Sequence, residues 1–288
     1  MKFSSCIFLT SQFTYLNSML KFPNAKINIG LNIVEKRADG FHNIESVFYP
    51  VDWRDALEIL PAKEFSFLST GLEIPGSQEN NLIIKAYKLL KADIERKTQD
   101  SVQIHLHKVI PMGAGLGGGS ADGAYALKIL NEVFELGLSN ETLANHARKL
   151  GSDCAFFIEN KPVFCYEKGD KFEEIALDLT DKHIVLVNPD IHISTAEAYS
   201  GVKPCKPQIS VKEAIQKPIS EWKNLIQNDF ELHLLPKYPT IAKVKSELYQ
   251  FGALYASMTG SGSTVYGIFD KKIDLKTKFP DFMVWGGI

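Results

Sequence analysis

A run of glycines between residues 113 and 119 is the part of this sequence most directly suited to chemistry. Five of those seven residues are glycine, within a stretch that extends from Pro111 to Gly123. Glycine accepts backbone conformations that other residues resist, so its N–H groups can approach a ligand closely. A helical pattern begins directly after Ser120, which adds the N-terminal dipole of a helix. The stretch therefore predicts a loop that binds a phosphate group rather than a flexible linker.

Two common glycine signatures fit this loop poorly. In the P-loop signature a lysine stands where this chain has Gly119. The dinucleotide signature G-x-G-x-x-G is satisfied, but that fold then needs a strand ending in an acidic residue about 20 residues further on. A second helical pattern over 141–150 stands there instead. We therefore expect a phosphate loop of a third kind.

One aspartate is a candidate for proton transfer. Asp153 stands between the turn at Gly151 and the apolar run that begins at Cys154. Its neighbours would hold it partly buried, which suits a general base. Because aspartate is also a favoured N-cap, the same residue could instead cap a short helix.

A lysine and an asparagine share one face of an early strand. Lys26 and Asn28 alternate with apolar residues, so this strand is expected to have one buried face. A lysine there is either a solvated charge or a functional cation, depending on what faces it. The apolar face carries Ile27, Ile29, Leu31 and Ile33.

Two further segments could contact a ligand. Phe41 and His42 follow an Asp-Gly turn, where they could pack within a hairpin or form a stacking platform for a flat ligand. The small residues from Met258 to Thr264 precede a strand, where they could form a simple turn or a second phosphate loop. Two small-residue loops with a carboxylate between them favour a shared phosphate-handling cleft.

Hydrophobic periodicity predicts the elements that position these residues. Ser194 or Thr195 is expected to cap a helix, residues 71–81 are predicted to form a polar loop, and residues 201–219 a loop or irregular segment. The predicted strands are 27–33, 44–50, 56–60, 65–68, 102–106, 163–167, 184–187 and 265–269; the predicted helices are 82–90, 124–137, 141–150, 221–228 and 240–251.

Composition limits the class of protein. The chain has 288 residues, so two domains are expected. With 45% hydrophobic and 23% charged residues it is an ordinary globular sequence, and a net charge of -2 argues against nucleic acid as its main partner. No run of about 18 apolar residues predicts a membrane helix.

His105 and His107 are interpreted as surface residues, not metal ligands. The four scattered cysteines indicate free thiols in a reducing compartment: Cys6, Cys154, Cys165 and Cys205.

The first 18 residues are interpreted as an extension outside the fold. Polar residues interrupt their apolar run, and they lack a clear signal-peptide cleavage site. Met19 stands just before the first convincing strand and is taken as the working N-terminus.

Three motifs in order give the chain a resemblance to the GHMP kinase superfamily. They are Pro-Asn-Ala-Lys-Ile-Asn from Pro23, the glycine loop, and Met-Thr-Gly-Ser-Gly-Ser from Met258. The resemblance extends from about Leu20 to Phe269. Within the superfamily, three segments are similar to the kinases that act on a cytidine diphosphate-linked methylerythritol: 36–45, 81–86 and 151–153.

The resemblance implies a fold and an activity. The fold would be α+β with two domains, a ribosomal protein S5 domain 2-like N-terminal domain over 19–178 and a ferredoxin-like C-terminal domain over 179–288, with the active site between them. The activity would be ATP-dependent and Mg²⁺-dependent phosphorylation of the substrate's 2-hydroxyl in non-mevalonate isoprenoid biosynthesis. A cytoplasmic monomer or weak homodimer, without nucleic-acid or membrane partners, would be expected. The alternatives are a GHMP kinase of the homoserine or mevalonate type, and a non-catalytic ligand sensor.

The resemblance also implies roles for individual residues. Asp153 would be the catalytic base and Lys26 its partner, while the ligands of Mg²⁺ are not identified. Ala121 replaces a serine common in the loop, and Tyr199 stands where other members carry Phe. The nucleotide would contact Pro111, Gly113, Ala114, Gly115, Leu116, Gly117, Gly118, Gly119 and Ser120, with Asn81 and Lys108 on the adenine side; the acceptor would contact Asn28, Phe41, His42, Thr195, Tyr199, Gly260 and Ser261.

Overall fold

The structure is a computed structural model that describes residues 20–287. The interpretation of residues 1–18 as an extension therefore lies outside the described residues, as does Met19. The chain divides into two compact units that interleave along the sequence, so the predicted boundary at residue 178 stays a prediction. Of the described residues, the first unit contains 20–23, 54–110 and 118–159, and the second contains 24–53, 111–117 and 160–287.

The first unit contains a four-stranded sheet. In spatial order its strands are β1 (Leu20–Lys21), β4 (Ala56–Ala62), β6 (Ser101–Lys108) and β5 (Ser66–Gly71). β4 pairs antiparallel with β1 and with β6, whereas β5 runs parallel to β6. Alternate residues of β4 and β6 are buried, as their period-two pattern predicts.

Within the described part of the first unit there are four helices, together with a short 3-10 turn at Gln78–Asn80. The buried face of the first helix carries Ile83, Ala86 and Leu90, and the second helix buries its own apolar stripe. These faces form the core of the unit, because a helix is stable in water only when its apolar stripe is covered. The helices are α1 (Leu82–Glu95), α2 (Gly118–Val133), α3 (Asn140–Leu150) and α4 (Phe156–Glu159).

The second unit contains two four-stranded sheets. One has the order β2-β3-β7-β8 and the other the order β10-β11-β9-β12. All three pairings of the second sheet are antiparallel. The strands are β2 (Asn24–Lys36), β3 (His42–Arg54), β7 (Val163–Tyr166), β8 (Lys171–Glu174), β9 (His183–Asn188), β10 (Tyr255–Met258), β11 (Val265–Phe269) and β12 (Met283–Gly287).

Five helices belong to the second unit. Ser194 caps the first of them by accepting a hydrogen bond from the Glu197 N–H at 3.1 Å, which decides between the two predicted caps. Among the described residues, no helix is long and apolar enough to cross a bilayer. The helices are α5 (Thr195–Ser200), α6 (Val211–Ala214), α7 (Ile219–Leu225), α8 (Glu231–Lys237) and α9 (Pro239–Gln250).

Most predicted elements are confirmed, with differences at particular places. α6 lies in the stretch 201–219, for which a loop or irregular segment is predicted, and β12 was not predicted because its five residues include two glycines. The expectation that β2 has a single buried face was wrong. Residues 24–33 are buried on both faces, because the polar side of the strand is covered by polar partners from distant parts of the chain.

Candidate active site

The glycine loop joins β6 to α2. Gly113, Gly115 and Gly117 have φ values of 66°, 77° and 70°, while the residues between them are not in the left-handed region. Such alternation turns successive N–H groups toward one side and forms a concave site for an anion. The loop leads into the N-terminus of a 16-residue helix. The cradle therefore fits the phosphate groups of a nucleotide.

The chain on both sides of the loop is fastened to one buried ammonium group in the first unit. Lys108 pairs with Asp55 at 2.5 Å and with Asp122, the fifth residue of α2, at 2.7 Å. The other Asp55 oxygen accepts hydrogen bonds from the N–H groups of Val109 and Ile110 at 2.6 and 2.8 Å. These three charged groups, the Asp55–Lys108–Asp122 triad, fix both stems of the loop.

The triad changes the role expected of Lys108. Its side chain is 0% exposed and ion-paired twice, whereas a contact to adenine needs an accessible group. We therefore assign Lys108 to the support of the loop. Asn81 also has an internal partner: its side chain accepts the Ile83 N–H at 2.9 Å and caps α1.

Charge in the triad is unbalanced, since two carboxylates face one ammonium. Asp55 has a donor on each oxygen, but Oδ1 of Asp122 has no hydrogen-bond partner among residues 20–287. Burial raises the pKa of Asp122 to about 7, against the opposing effect of Lys108. Burial alone would lower the pKa of Lys108, but the two carboxylates outweigh it and raise that pKa, so Lys108 stays charged at neutral pH.

Asp153 lies in the first unit, in the turn between α3 and α4. It is half-buried, and its carboxylate accepts a hydrogen bond from the Ser152 hydroxyl at 3.3 Å. The neighbouring Cys154 is fully buried, and burial raises the pKa of its thiol to about 12. A neutral thiol of this kind is a poor nucleophile, and a reactive role for the Asp153 carboxylate stays a prediction.

Lys26 lies in the second unit on β2 and is buried. Its ammonium donates a hydrogen bond to the side-chain oxygen of Asn28 and lies over the ring of Phe48, 4.6 Å from the centroid. Its backbone N–H donates to the Leu116 carbonyl at 2.9 Å, which ties β2 directly to the glycine loop. The lysine is therefore a held cation rather than a solvated surface charge.

Asn28 uses its side chain within the protein. Its amide nitrogen donates to the Ser46 hydroxyl at 2.9 Å, and Ser46 donates in turn to the Gly30 carbonyl at 2.6 Å. Its backbone N–H donates to the hydroxyl of Thr259 at 3.0 Å. Contact between Asn28 and the acceptor substrate stays a prediction.

The aromatic residues predicted to contact the acceptor include two that pack against each other. His42 and Tyr199 stack on each other, with centroids 4.8 Å apart and planes at 22°, and Phe230 meets Tyr199 edge-on at 5.0 Å. A flat base does not fit between rings this close, so it would stack on an outer face. Phe41 is 60% exposed, with the Lys168 ammonium 5.3 Å from its centroid. Burial, with the nearby charge of Lys36, lowers the pKa of His42, which favours a neutral ring.

The side chain of Asn228 holds the backbone of the second small-residue loop. The side-chain amide of this buried residue donates to the carbonyl groups of Met258 and Gly260, at 2.8 and 2.9 Å. Gly260 has a φ of 54°, and a Cβ there would lie 3.2 Å from the Gly115 Cα. The glycine loop and the second small-residue loop therefore approach each other closely in the second unit. The remaining predicted contacts differ in exposure, since Ser261 is half-buried and Thr195 is exposed.

Sequence reasoning missed several of these residues. Asp55 and Asn228 stand outside the motifs and carry no local signal. Asp122 offered one signal: it is two residues after Ser120, in the amphipathic helix, on a buried position. No group of three or more His, Cys, Asp or Glu residues that could hold a metal occurs between residues 20 and 287.

Family models match both halves of the chain. The model for the GHMP kinases N terminal domain matches residues 81–161, and the model for the GHMP kinases C terminal matches residues 210–279. The chain belongs to the GHMP kinase family. Solved structures with low identity show the same fold: homoserine kinase from Cytophaga hutchinsonii is 16% identical with a TM-score of 0.65, over 100% of this chain and 97% of that one.

Several relatives carry a more specific name. A 4-diphosphocytidyl-2-C-methyl-D-erythritol kinase of Bacteroides fragilis is 50% identical over 270 residues, covering 91% of this chain and 97% of that protein. The protein with the same name in Parabacteroides distasonis is 49% identical over 271 residues, covering 93% and 99%. A crystal structure of 4-(cytidine 5'-diphospho)-2C-methyl-D-erythritol kinase has a TM-score of 0.74 at 28% identity, covering 87% and 90%.

Proposed function

We propose that this chain transfers the γ-phosphoryl group of ATP to the 2-hydroxyl of 4-diphosphocytidyl-2-C-methyl-D-erythritol, in isoprenoid precursor biosynthesis. The observation that carries the proposal is the identity of about half of all residues, over nearly the whole length, with relatives of that name. Retention of both Asp153 and Lys26 argues against a ligand sensor that has lost catalysis.

The nucleotide would be held by the glycine loop. The alternating φ angles of the loop and the N-terminus of α2 suit the phosphates of ATP. Mg²⁺ would offset phosphate charge, and because the described residues contain no ready cluster of ligands, phosphate oxygens would supply much of its coordination. The residues proposed for the nucleotide are Pro111 to Ser120 and, at the start of α1, Asn81.

Asp153 would act as the general base. It would accept the proton of the 2-hydroxyl as the bond from that oxygen to the γ-phosphorus forms and the bond to ADP breaks. Lys26, a buried cation fixed by Asn28, would stabilise the negative charge that develops on the transferring group. Positioning and charge stabilisation supply most of the rate of such a transfer, so the absent P-loop lysine is no obstacle.

The cytidine base would stack on the outer face of the His42–Tyr199 pair, with Phe41 at its edge. A neutral His42 ring leaves the stack uncharged, which suits a pyrimidine. Asn28, Thr195, Gly260 and Ser261 are proposed for the polar part of the acceptor. Cys154 and Cys205 are free thiols, in keeping with a cytoplasmic location.

Turnover of the purified protein with ATP and Mg²⁺ tests the proposal directly. We expect phosphorylation of 4-diphosphocytidyl-2-C-methyl-D-erythritol and little turnover of homoserine or mevalonate. Asp153→Asn should lower kcat by about 10²–10⁴-fold because it removes the base, while the exposed carboxylate control Asp178→Asn should not. A folded protein that phosphorylates homoserine or mevalonate in preference would contradict the proposed substrate.

A further inference from the structure

Thr259 is a fully buried threonine whose hydroxyl is used in two directions. It donates a hydrogen bond to the Gly115 carbonyl at 3.0 Å and accepts one from the Asn28 N–H at 3.0 Å. All three residues belong to the second unit. A single hydroxyl thus joins the second small-residue loop to the glycine loop and to β2.

The same connection reaches the lysine of β2. The side-chain oxygen of Asn28 lies 3.4 Å from the Thr259 hydroxyl and accepts the Lys26 ammonium hydrogen bond. The Lys26 N–H holds the Leu116 carbonyl, next to the Gly115 carbonyl that Thr259 holds. Two consecutive carbonyl groups of the glycine loop are therefore fixed, one by the strand that carries Lys26 and the other by Thr259.

The backbones meet here without room for adjustment. A Cβ on Gly115 would collide with the Thr259 carbonyl group, and Gly115 itself has a φ of 77°. The hydroxyl thus acts where the backbone segments around Gly115 and Thr259 are already in van der Waals contact. Small changes in its hydrogen bonds would consequently be transmitted to the position of the loop.

Thr264 provides an internal contrast in the same segment. It is also 0% exposed, and its carbonyl accepts the Thr259 N–H at 2.9 Å. Its hydroxyl, however, has no hydrogen-bond partner in the described part of the chain. The two threonines match in type, burial and location, and differ in what their hydroxyls bind.

We propose that Thr259 is a positioning residue that sets the glycine loop and the Lys26–Asn28 pair in register with each other. The proposal rests on the proposed function, in which the loop holds ATP and Lys26 stabilises the transferring group. Only a side chain that donates and accepts at once can perform this task. Serine can replace threonine here, whereas valine, of nearly the same shape, cannot.

The test compares Thr259→Val, Thr259→Ser and the matched control Thr264→Val. For Thr259→Val we expect ADP binding to weaken about 10-fold and kcat to fall by about 10-fold or more, since a displacement of the reacting groups lowers the rate. Thr259→Ser should stay within about 3-fold of the wild-type protein in both quantities, because it retains the hydroxyl. Thr264→Val, which removes a hydroxyl without a partner, should leave both unchanged.

ADP affinity, measured by calorimetry, needs no acceptor and so separates this proposal from the proposed function. A wild-type protein without turnover contradicts the proposed function alone. Equal ADP affinity and kcat in Thr259→Val and Thr264→Val, or no recovery with serine, overturns the positioning role. If Thr259→Val does not fold, Thr259→Cys against Thr264→Cys gives the same comparison with a weakly donating thiol.

Discussion

The two small-residue loops are held by opposite chemistry. Before the first loop, the chain presents two N–H groups, and the Asp55 carboxylate accepts both. Around the second loop, the chain presents two carbonyl groups, and the Asn228 amide donates to both. Each partner suits the backbone groups that it meets, but Asp55 is charged whereas Asn228 is not.

That charge has further requirements. A buried carboxylate needs a cation, which Lys108 supplies, and the cation in turn faces a second carboxylate at Asp122. The amide of Asn228 needs no counter-ion. The first loop is therefore expected to depend on pH and to tolerate substitution poorly, while the support of the second loop by Asn228 is expected to be insensitive to pH and to fail more gradually.

The largest expected effect is the removal of the cation. Lys108→Met keeps the volume of the side chain but leaves two carboxylates buried without it, and we expect a loss of about 3–5 kcal/mol in the free energy of unfolding. Urea denaturation measures the loss. Lys212→Met is the control, because it removes an exposed ion pair with Glu173 and should cost less than about 1 kcal/mol. Equal losses would show that the triad is no stronger than a surface pair.

The next effect is a pH dependence. The pKa of Asp122 lies near 7 in the folded protein and near its ordinary value of 3.8 when unfolded. Between those values the folded state binds more protons, so the contribution of Asp122 to stability is present below about pH 4 and lost as the pH rises toward about 7. Asp122→Asn should remove this change in the free energy of unfolding, which is on the order of a few kcal/mol across the pH range. Unfolding free energies measured from pH 4.5 to 8 in both proteins test this; parallel curves would refute it.

Substitution of the amide should be milder. Asn228→Ala leaves the carbonyl groups of Met258 and Gly260 without this donor, which should cost about 1–3 kcal/mol. Asn228 carries no charge, so the loss should be the same at pH 5 and pH 8 by thermal or urea unfolding. The buried Glu231 carboxylate, which accepts the Met258 N–H at 2.7 Å and pairs with Lys245, is present in both proteins. A loss that changes with pH would couple the Asn228 contacts to Glu231 and weaken the contrast with the first loop.

The smallest effect should come from Ser46→Ala. This change removes one hydroxyl that links Asn28 to the Gly30 carbonyl, and it should cost about 1 kcal/mol in the free energy of unfolding. The activity should fall only if Asn28 then shifts and moves Lys26 with it. Kinetics together with urea unfolding would separate these effects: unchanged kcat with lower stability indicates that Asn28 keeps its position.

The sequence predicted local features well and distant partners poorly. Alternation placed β2, and the density of glycines placed a loop with left-handed residues, because both signals lie within a few residues. The burial of both faces of β2 was missed, since Ser46 and Thr259 reach Asn28 from other parts of the chain. Lys108 was assigned to adenine for the same reason, as its partner Asp55 precedes it by 53 residues.

The site residues show the same division. The sequence brought His42 and Tyr199 into one hypothesis by resemblance, and the structure shows that they stack. It gave no indication that their rings contact each other and leave no gap, or that Phe230 supports them. Such spacing depends on side-chain packing in three dimensions, which no short motif encodes.

The interleaved units have a consequence for the order in which the protein matures on the ribosome. The chain passes between the units five times, and the last residue of the first unit is Glu159. That unit can complete its core while the rest of the chain is still being made, because domains fold as soon as their residues have emerged. The glycine loop, however, is translated early and acquires its Thr259 contact only about 140 residues later in synthesis. Competence to bind nucleotide is therefore expected to be among the last properties that the nascent chain gains.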